Sequence, residues 1–270
     1  MLLSEVGYAR PAGVEEAVRL LGENDGARAL AGGQTIVNVM KARAAAPDVL
    51  VDLADLAELR TIEPTPDGGL ALGATATYSQ VVTSSEVKAA RPILADVAAQ
   101  IADVQVRNRG TVGGNVCSND PTNHLPPVLV AAGAELTIVG PDGERVVPAE
   151  EFFLGVYLTA VGPGELLTRI TLPPLGEARD GFSAITIGAD GTCIVNAAAT
   201  VQGDGARVAL GCVAATPVLL TTSAEESAVR EAVRGAGLEP PSDVHGSAGY
   251  RRHLAEVVAV RAVAAARESD

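Results

Sequence analysis

Twice in this chain an apolar run breaks into a Gly-Gly pair followed at once by a side-chain amide, with threonine close by: "AGGQT" from Ala31 to Thr35, and "TVGGN" from Thr111 to Asn115. The second lies inside "RNRGTVGGNVCSNDPTNHLP", a stretch too polar and glycine-rich to be core and too long for an ordinary turn. Glycine lets a backbone turn sharply and lets another group approach its N–H donors. Consecutive N–H groups in such a turn make an anion-binding concavity, and nearby hydroxyls and amides add donors. Whatever the fold, it has to bring out two stretches of accessible backbone. From the residues alone, two plain tight turns fit as well as an anion site does. A dinucleotide-binding Gly-x-Gly-x-x-Gly fingerprint is absent after the first strand, and so is a Gly-Lys-Ser/Thr phosphate loop.

Composition narrows the anion's setting. Acids outnumber bases 33 to 20, for a formal charge of −13, and aromatics make up 3% with no tryptophan. Such a surface repels phosphate backbones and has no stacking platform, which disfavours nucleic acid. An anion held here would be neutralised by backbone dipoles, and a pyrophosphate fits. The core has to come from Ala, Val, Leu and Ile. Cys117, Cys193 and Cys212 are widely spaced and include no Cys-x-x-Cys. This chain alone therefore supplies neither a zinc nor an iron–sulfur site, and a disulfide framework is not expected. The opening "MLLSEVGYARPAGVEE" lacks a basic leader, and no apolar run reaches membrane-span length. The expectation is a cytoplasmic protein.

Periodicity predicts an α+β chain. "VEEAVRLL", the strand "ARAL", the helix "IVNVMKA" and the strand "VLVDL" predict a small parallel βαβ lobe. Hairpins are predicted at Asp67-Gly68 and near Asp142-Gly143, with the helix "RPILADVAAQIAD" between them. After the linker "LPPLGEARD" come three strand runs, "FSAITI", "TCIVNAAATVQ" and "ARVALGCVAA". A helix from Ser247 to Glu268 follows, with Leu254, Val257 and Val258 on one face. Cys117 reads as a packing residue, Asp120 as an Asp-Pro turn, and Arg251-Arg252-His253 as surface.

The stretches "AGGQTIVNVMKAR", "LGATATY", "IADVQVRNRGTVGGNVCSNDPTNHLP" and "GELLTRITLP", in this order and spacing, closely resemble the FAD-binding medium subunit of the molybdenum hydroxylases, the family of carbon monoxide dehydrogenase and of xanthine dehydrogenase's flavin domain. "GSAGYRRHLAEVVAVRAVAAA" resembles that family's terminal helix. The resemblance implies a two-lobed FAD-binding domain of the vanillyl-alcohol-oxidase-like (PCMH) type over residues 1–173, with lobes of about 1–56 and 57–173. A small α+β C-terminal domain with a three-stranded antiparallel sheet would follow over 178–270.

It also implies one FAD, with Ala31, Gly32, Gly33, Gln34 and Thr35 around its pyrophosphate and Thr111, Val112, Gly113, Gly114 and Asn115 as a second clamp. Leu166, Thr75 and Thr77 would lie near the flavin, with Asp120 counted among the cofactor-binding residues. Three positions depart from the family. His124 stands where an acid usually bonds a cofactor hydroxyl, Thr186 where a lysine is common, and Ile101 where some members have an aromatic. The implied role is electron relay. Molybdopterin on a large subunit would hydroxylate the substrate, and electrons would pass through [2Fe–2S] clusters on a small subunit, in a dimer of heterotrimers. No catalytic side chain and no metal ligand is expected here. A self-sufficient FAD oxidoreductase of the same fold and a flavin-free scaffold stand as alternatives.

Overall fold

The computed structural model describes residues 3–188 and 191–269. The N-terminal part forms the predicted parallel unit, with one strand more than the sequence suggests. It runs β1 (Gly7–Ala9), α1 (Val14–Gly22), β2 (Ala27–Leu30), α2 (Ile36–Lys41) and β3 (Val49–Asp52), in sheet order β1-β3-β2. Ala17, Val18 and Leu21 of α1 bury one helical face against Val51, Leu53 and Leu56.

The middle of the chain is a five-stranded antiparallel sheet with helices. It begins with β4 (Ile62–Pro64), β5 (Leu70–Gly73), α3 (Tyr78–Thr83), α4 (Ser85–Ala90), α5 (Pro92–Ala99) and α6 (Val104–Arg109). It continues through α7 (Val112–Ser118), α8 (Leu125–Ala132), β6 (Glu135–Gly140), β7 (Gly143–Pro148), α9 (Ala149–Phe152), β8 (Phe153–Gly155), β9 (Leu158–Thr159) and β10 (Leu166–Leu172). The sheet order is β4-β5-β10-β6-β7, and both hairpins fall where Asp67-Gly68 and Asp142-Gly143 place them. Gly68 and Gly143 both have positive φ, as such turns require.

The C-terminal part is β11 (Arg179–Ile187), β12 (Thr192–Gln202), β13 (Gly205–Gly211), β14 (Val218–Ser223), α10 (Glu226–Gly235) and α11 (Ala248–Glu268). Its antiparallel sheet has four strands, not three. The fourth, "VLLTTS", follows Pro217 and ends in hydroxyls, so it lacks a clean alternation. It forms because Val208, Ala209 and Leu210 of β13 give it a paired edge. α11 covers one face of this sheet, with Leu254, Ala255, Val258, Ala259, Ala262 and Val263 in one core with Val195, Ala197 and Val208. Val257 is only half-buried, and Arg251, read from sequence as surface, is buried. Arg251 donates Nη1 to the Ile194 carbonyl at 2.6 Å and pairs with Asp243 at 2.7 Å. The helix turns inward at its start, and its alanine-rich sequence conceals that.

The other face of the sheet lies on α8. All eight residues of that helix are buried, and Ala198, Ala209 and Leu219 pack into the same core as Leu125, Val128 and Leu129. Arg207 of β13 donates to the Val130 and Ala131 carbonyls, closing the end of α8, and pairs with Glu150. A second tie is Arg91, 2% exposed, which holds Asp180 through Nε at 2.6 Å and Nη2 at 3.1 Å while Thr200 donates to the same carboxylate.

Candidate functional site

The two glycine stretches meet in space but are built differently. After β2 the chain enters Ala31–Thr35, with Gly33 at φ +72°, a conformation that favours glycine. A Cβ on Gly32 would lie 2.0 Å from the Arg109 carbonyl oxygen, so the first loop rests directly on the backbone entering the second stretch. Among the described residues, the N–H groups of Gly32, Gly33, Gln34 and Thr35 take no partner. The Gln34 amide donates to the Gly32 carbonyl at 3.3 Å and braces the turn.

The second stretch is not a loop. Residues 112–118 are α7, with Thr111 as N-cap accepting from Gly114 N–H at 3.0 Å. Val112 N–H donates to Ala76 and Gly113 N–H to Ala74, so these donors serve the fold. A Cβ on Gly113 would lie 2.5 Å from the Ala74 oxygen, and that close approach explains this glycine. Tertiary contact makes a helix of a sequence whose glycines argue against one. Thr75 donates to the Leu59 carbonyl at 2.9 Å, and Thr77 caps α3 in a capping box and bridges to Thr111. Both threonines therefore buttress the crossing rather than stand free. Leu166 is buried in the core of the parallel lobe.

Asn115 is one of three residues, with Asn196 and Arg251, that have a buried side-chain polar atom left without a partner among the described residues. It is buried, and its Oδ1 has no partner among the described residues. Burial pushes the Tyr78 hydroxyl up, and the neighbouring Asn115 amide draws it back in part. An unpaired buried acceptor costs about 1–3 kcal/mol. Asn115 lines an open pocket of about 190 Å³ together with Ile101, Asn123, His124, Thr192 and Cys193. One wall comes from the helical lobe and the other from β12. The open pocket and the unpartnered N–H groups of the first loop together offer room and backbone donors that could hold a large anionic ligand.

The remaining sequence candidates divide. His124 and Ile101 line the pocket, whereas Thr186 is not among its lining residues and is exposed, paired in register with Cys193. His124 precedes α8 and is 6% exposed, its ring 5.4 Å from that of Phe182. Burial lowers its pKa below the ordinary 6.5, so it is neutral near neutral pH. Asp120 accepts from Thr122 N–H and Oγ1 and from the Tyr157 hydroxyl, the turn role its Asp-Pro sequence suggests. Burial pushes the Cys117 thiol up to about 12, consistent with packing rather than reactivity. Two residues escaped sequence reading: Asn123, which donates to the Asn115 carbonyl, and Asn196, which donates to Asn123. The signal for Asn196 was an amide inside an otherwise apolar strand.

Fold and site together define a two-lobed scaffold, a parallel lobe and an antiparallel lobe meeting at two glycine-rich segments. Residues 4–175 match the family described as the FAD binding domain in molybdopterin dehydrogenase. Over 285 aligned residues the chain is 35% identical to the carbon monoxide dehydrogenase medium chain of Afipia carboxidovorans, covering 99% of this chain and 98% of that one. It is 34% identical to the alpha subunit of the 6-hydroxypseudooxynicotine dehydrogenase complex of Paenarthrobacter nicotinovorans, covering 94% and 91%. The solved carbon monoxide dehydrogenase of Hydrogenophaga pseudoflava superposes with a TM-score of 0.93 at 33% identity, over 99% of each chain. The chain belongs to the FAD-binding medium subunits of the molybdenum hydroxylases. It is an oxidoreductase flavoprotein subunit whose cofactor is FAD.

Proposed function

We propose that this chain is the electron relay of a molybdenum hydroxylase, taking electrons from [2Fe–2S] clusters of a small subunit and passing them to an external acceptor. The molybdopterin would sit on a large subunit, in a dimer of heterotrimers. The observation that carries the site is the run of N–H groups at Gly32, Gly33, Gln34 and Thr35 with no partner among the described residues. In this reading these donors hold the pyrophosphate, and Gly114 and Asn115 flank the chain running from it to the flavin. The amide of Asn115 and the apolar wall at Ile101 orient the ring. Neutral His124, where the family usually has an acid, presents a nitrogen rather than a carboxylate to a cofactor hydroxyl. When bound, FAD supplies the redox chemistry, exchanging electrons singly or in pairs; the protein contributes position and electrostatics.

Anaerobic flavin absorbance tests the relay. The isolated chain with FAD should bleach with a chemical reductant but not with the large subunit's substrate. Adding the partner subunits should restore substrate-dependent bleaching. Bleaching of the isolated chain by that substrate would move the assignment to a self-sufficient flavoenzyme. A well-folded chain that takes up no FAD, alone or with its partners, would end the flavin reading.

A further inference from the structure

β12 is buried without interruption from Cys193 to Ala199, and Asn196 is the amide in that otherwise apolar run. A leucine there would match its neighbours. The amide instead lies fully buried behind the pocket and joins two residues that line it. Its Nδ2 donates to the Asn123 carbonyl at 3.2 Å and to Cys193 Sγ at 3.4 Å. Those two residues line the pocket from opposite walls. Asn196 Oδ1 is buried without a partner among the described residues. Facing it in register is Gly211, where a Cβ would come within 2.2 Å of that oxygen. The space for the amide is thus provided by the neighbouring strand, and the structure tolerates an orphaned oxygen to keep the donor end in place. A buried amide kept with one end unpaired calls for a reason beyond packing.

The chain of contacts continues. Asn123 Nδ2 donates to the Asn115 carbonyl at 2.9 Å and approaches Ser118 Oγ at 3.2 Å, while Ser118 Oγ donates to the same Asn115 carbonyl. Asn115 lines the pocket and carries the other orphaned amide oxygen, Oδ1, which is buried behind that surface.

We propose that Asn196 is a positioning residue for the flavin site: it fixes the spacing of the two pocket walls and, through Asn123, the backbone of Asn115 where that residue lines the pocket. This rests on the FAD reading above for the ligand, but the wall spacing belongs to the protein alone. Asn196 touches no cofactor in this arrangement. Its effect is transmitted through the Asn123 carbonyl, across the boundary between the C-terminal sheet and the helical lobe.

The test uses the full chain with Asn196→Leu, Asn123→Ala and the double variant. Asn123→Ala leaves the C-terminal core untouched and breaks the second link, from the Asn123 side chain to the Asn115 carbonyl, while the carbonyl that Asn196 holds stays in place; should Asn196→Leu fold poorly, the smaller Asn196→Ala removes the first link. Without FAD, amide exchange over residues 111–124 should quicken about tenfold (about 1.4 kcal/mol) in each single variant. With FAD, the dissociation constant should rise about tenfold and the visible circular dichroism of the flavin should shift. Because the two residues act in series, the double variant should be no worse than either single one. Wild-type exchange, affinity and spectrum in both single variants would overturn the proposal, and so would effects that simply add. If the wild-type chain takes up no FAD, the cofactor assignment falls, while the exchange measurement still decides the wall spacing.

Discussion

Gly32 and Gly33 are adjacent, yet they are glycine for different reasons, and substitution should separate them. At Gly32 a methyl group would strike the Arg109 carbonyl, a backbone atom that cannot swing away. At Gly33 the obstacle is its φ of +72°, with side chains of Val37 and Leu30 no nearer than 3.3 Å. Gly33→Ala should therefore cost about 1–2 kcal/mol, the ordinary penalty for a left-handed non-glycine residue, and weaken FAD modestly. Gly32→Ala should push the two segments apart and abolish flavin retention. Urea unfolding and flavin content check both; equal losses at the two sites would mean that the contact with Arg109 does not matter.

His124 makes a second test at this scale. Its folded pKa is lowered, so below about 6.5 the unfolded chain binds a proton that the folded chain resists. The stability it contributes is present above 6.5 and is lost as pH falls through that range. Thermal midpoints between pH 7.5 and 5 should fall more steeply for wild type than for His124→Gln. Parallel curves would show that the ring titrates freely. Neither orphaned amide was legible in the sequence as such. Asn115 could be placed by its motif, but that its side-chain oxygen is buried without a partner shows only in the folded chain.

Among the elements, those legible in the sequence carry their own period. α1 shows its face through Ala17, Val18 and Leu21, and the Asp-Gly hairpins announce β4–β5 and β6–β7. What stayed hidden depends on neighbours. α7 is helical because Gly113 can press against Ala74. β14 exists because β13 offers it an edge, and β1 is three residues long and visible only beside β3. The long side chains joining elements are equally silent in a sequence. Arg91 and Asp180 are 89 positions apart, yet they form a buried, doubly bonded pair. Removing one partner leaves an uncompensated buried charge, so Arg91→Ala should cost about 3–5 kcal/mol. Replacing both, with Arg91→Met and Asp180→Leu, should recover much of that loss. A double variant as unstable as the single one would show that the Pro173 and Thr200 contacts, rather than the charges, hold the joint.

At the scale of the molecule, the family match ends at residue 175, in the linker before β11, yet the hydrophobic core does not end there. α8 is buried on every side, and part of its cover is Ala198, Ala209 and Leu219 from the C-terminal sheet. A fragment of residues 1–175 should therefore expose that helix and bind a hydrophobic dye without a cooperative thermal transition. A fragment that melts sharply and binds no dye would show that α8 can repack alone. The consequence reaches beyond stability. A laboratory graft of this flavin-binding half onto another relative's C-terminal half would have to carry along both the surface complementary to α8 and an arginine able to close the helix as Arg207 does. Recombination within the family should find viable crossovers in the outer loops rather than at the linker.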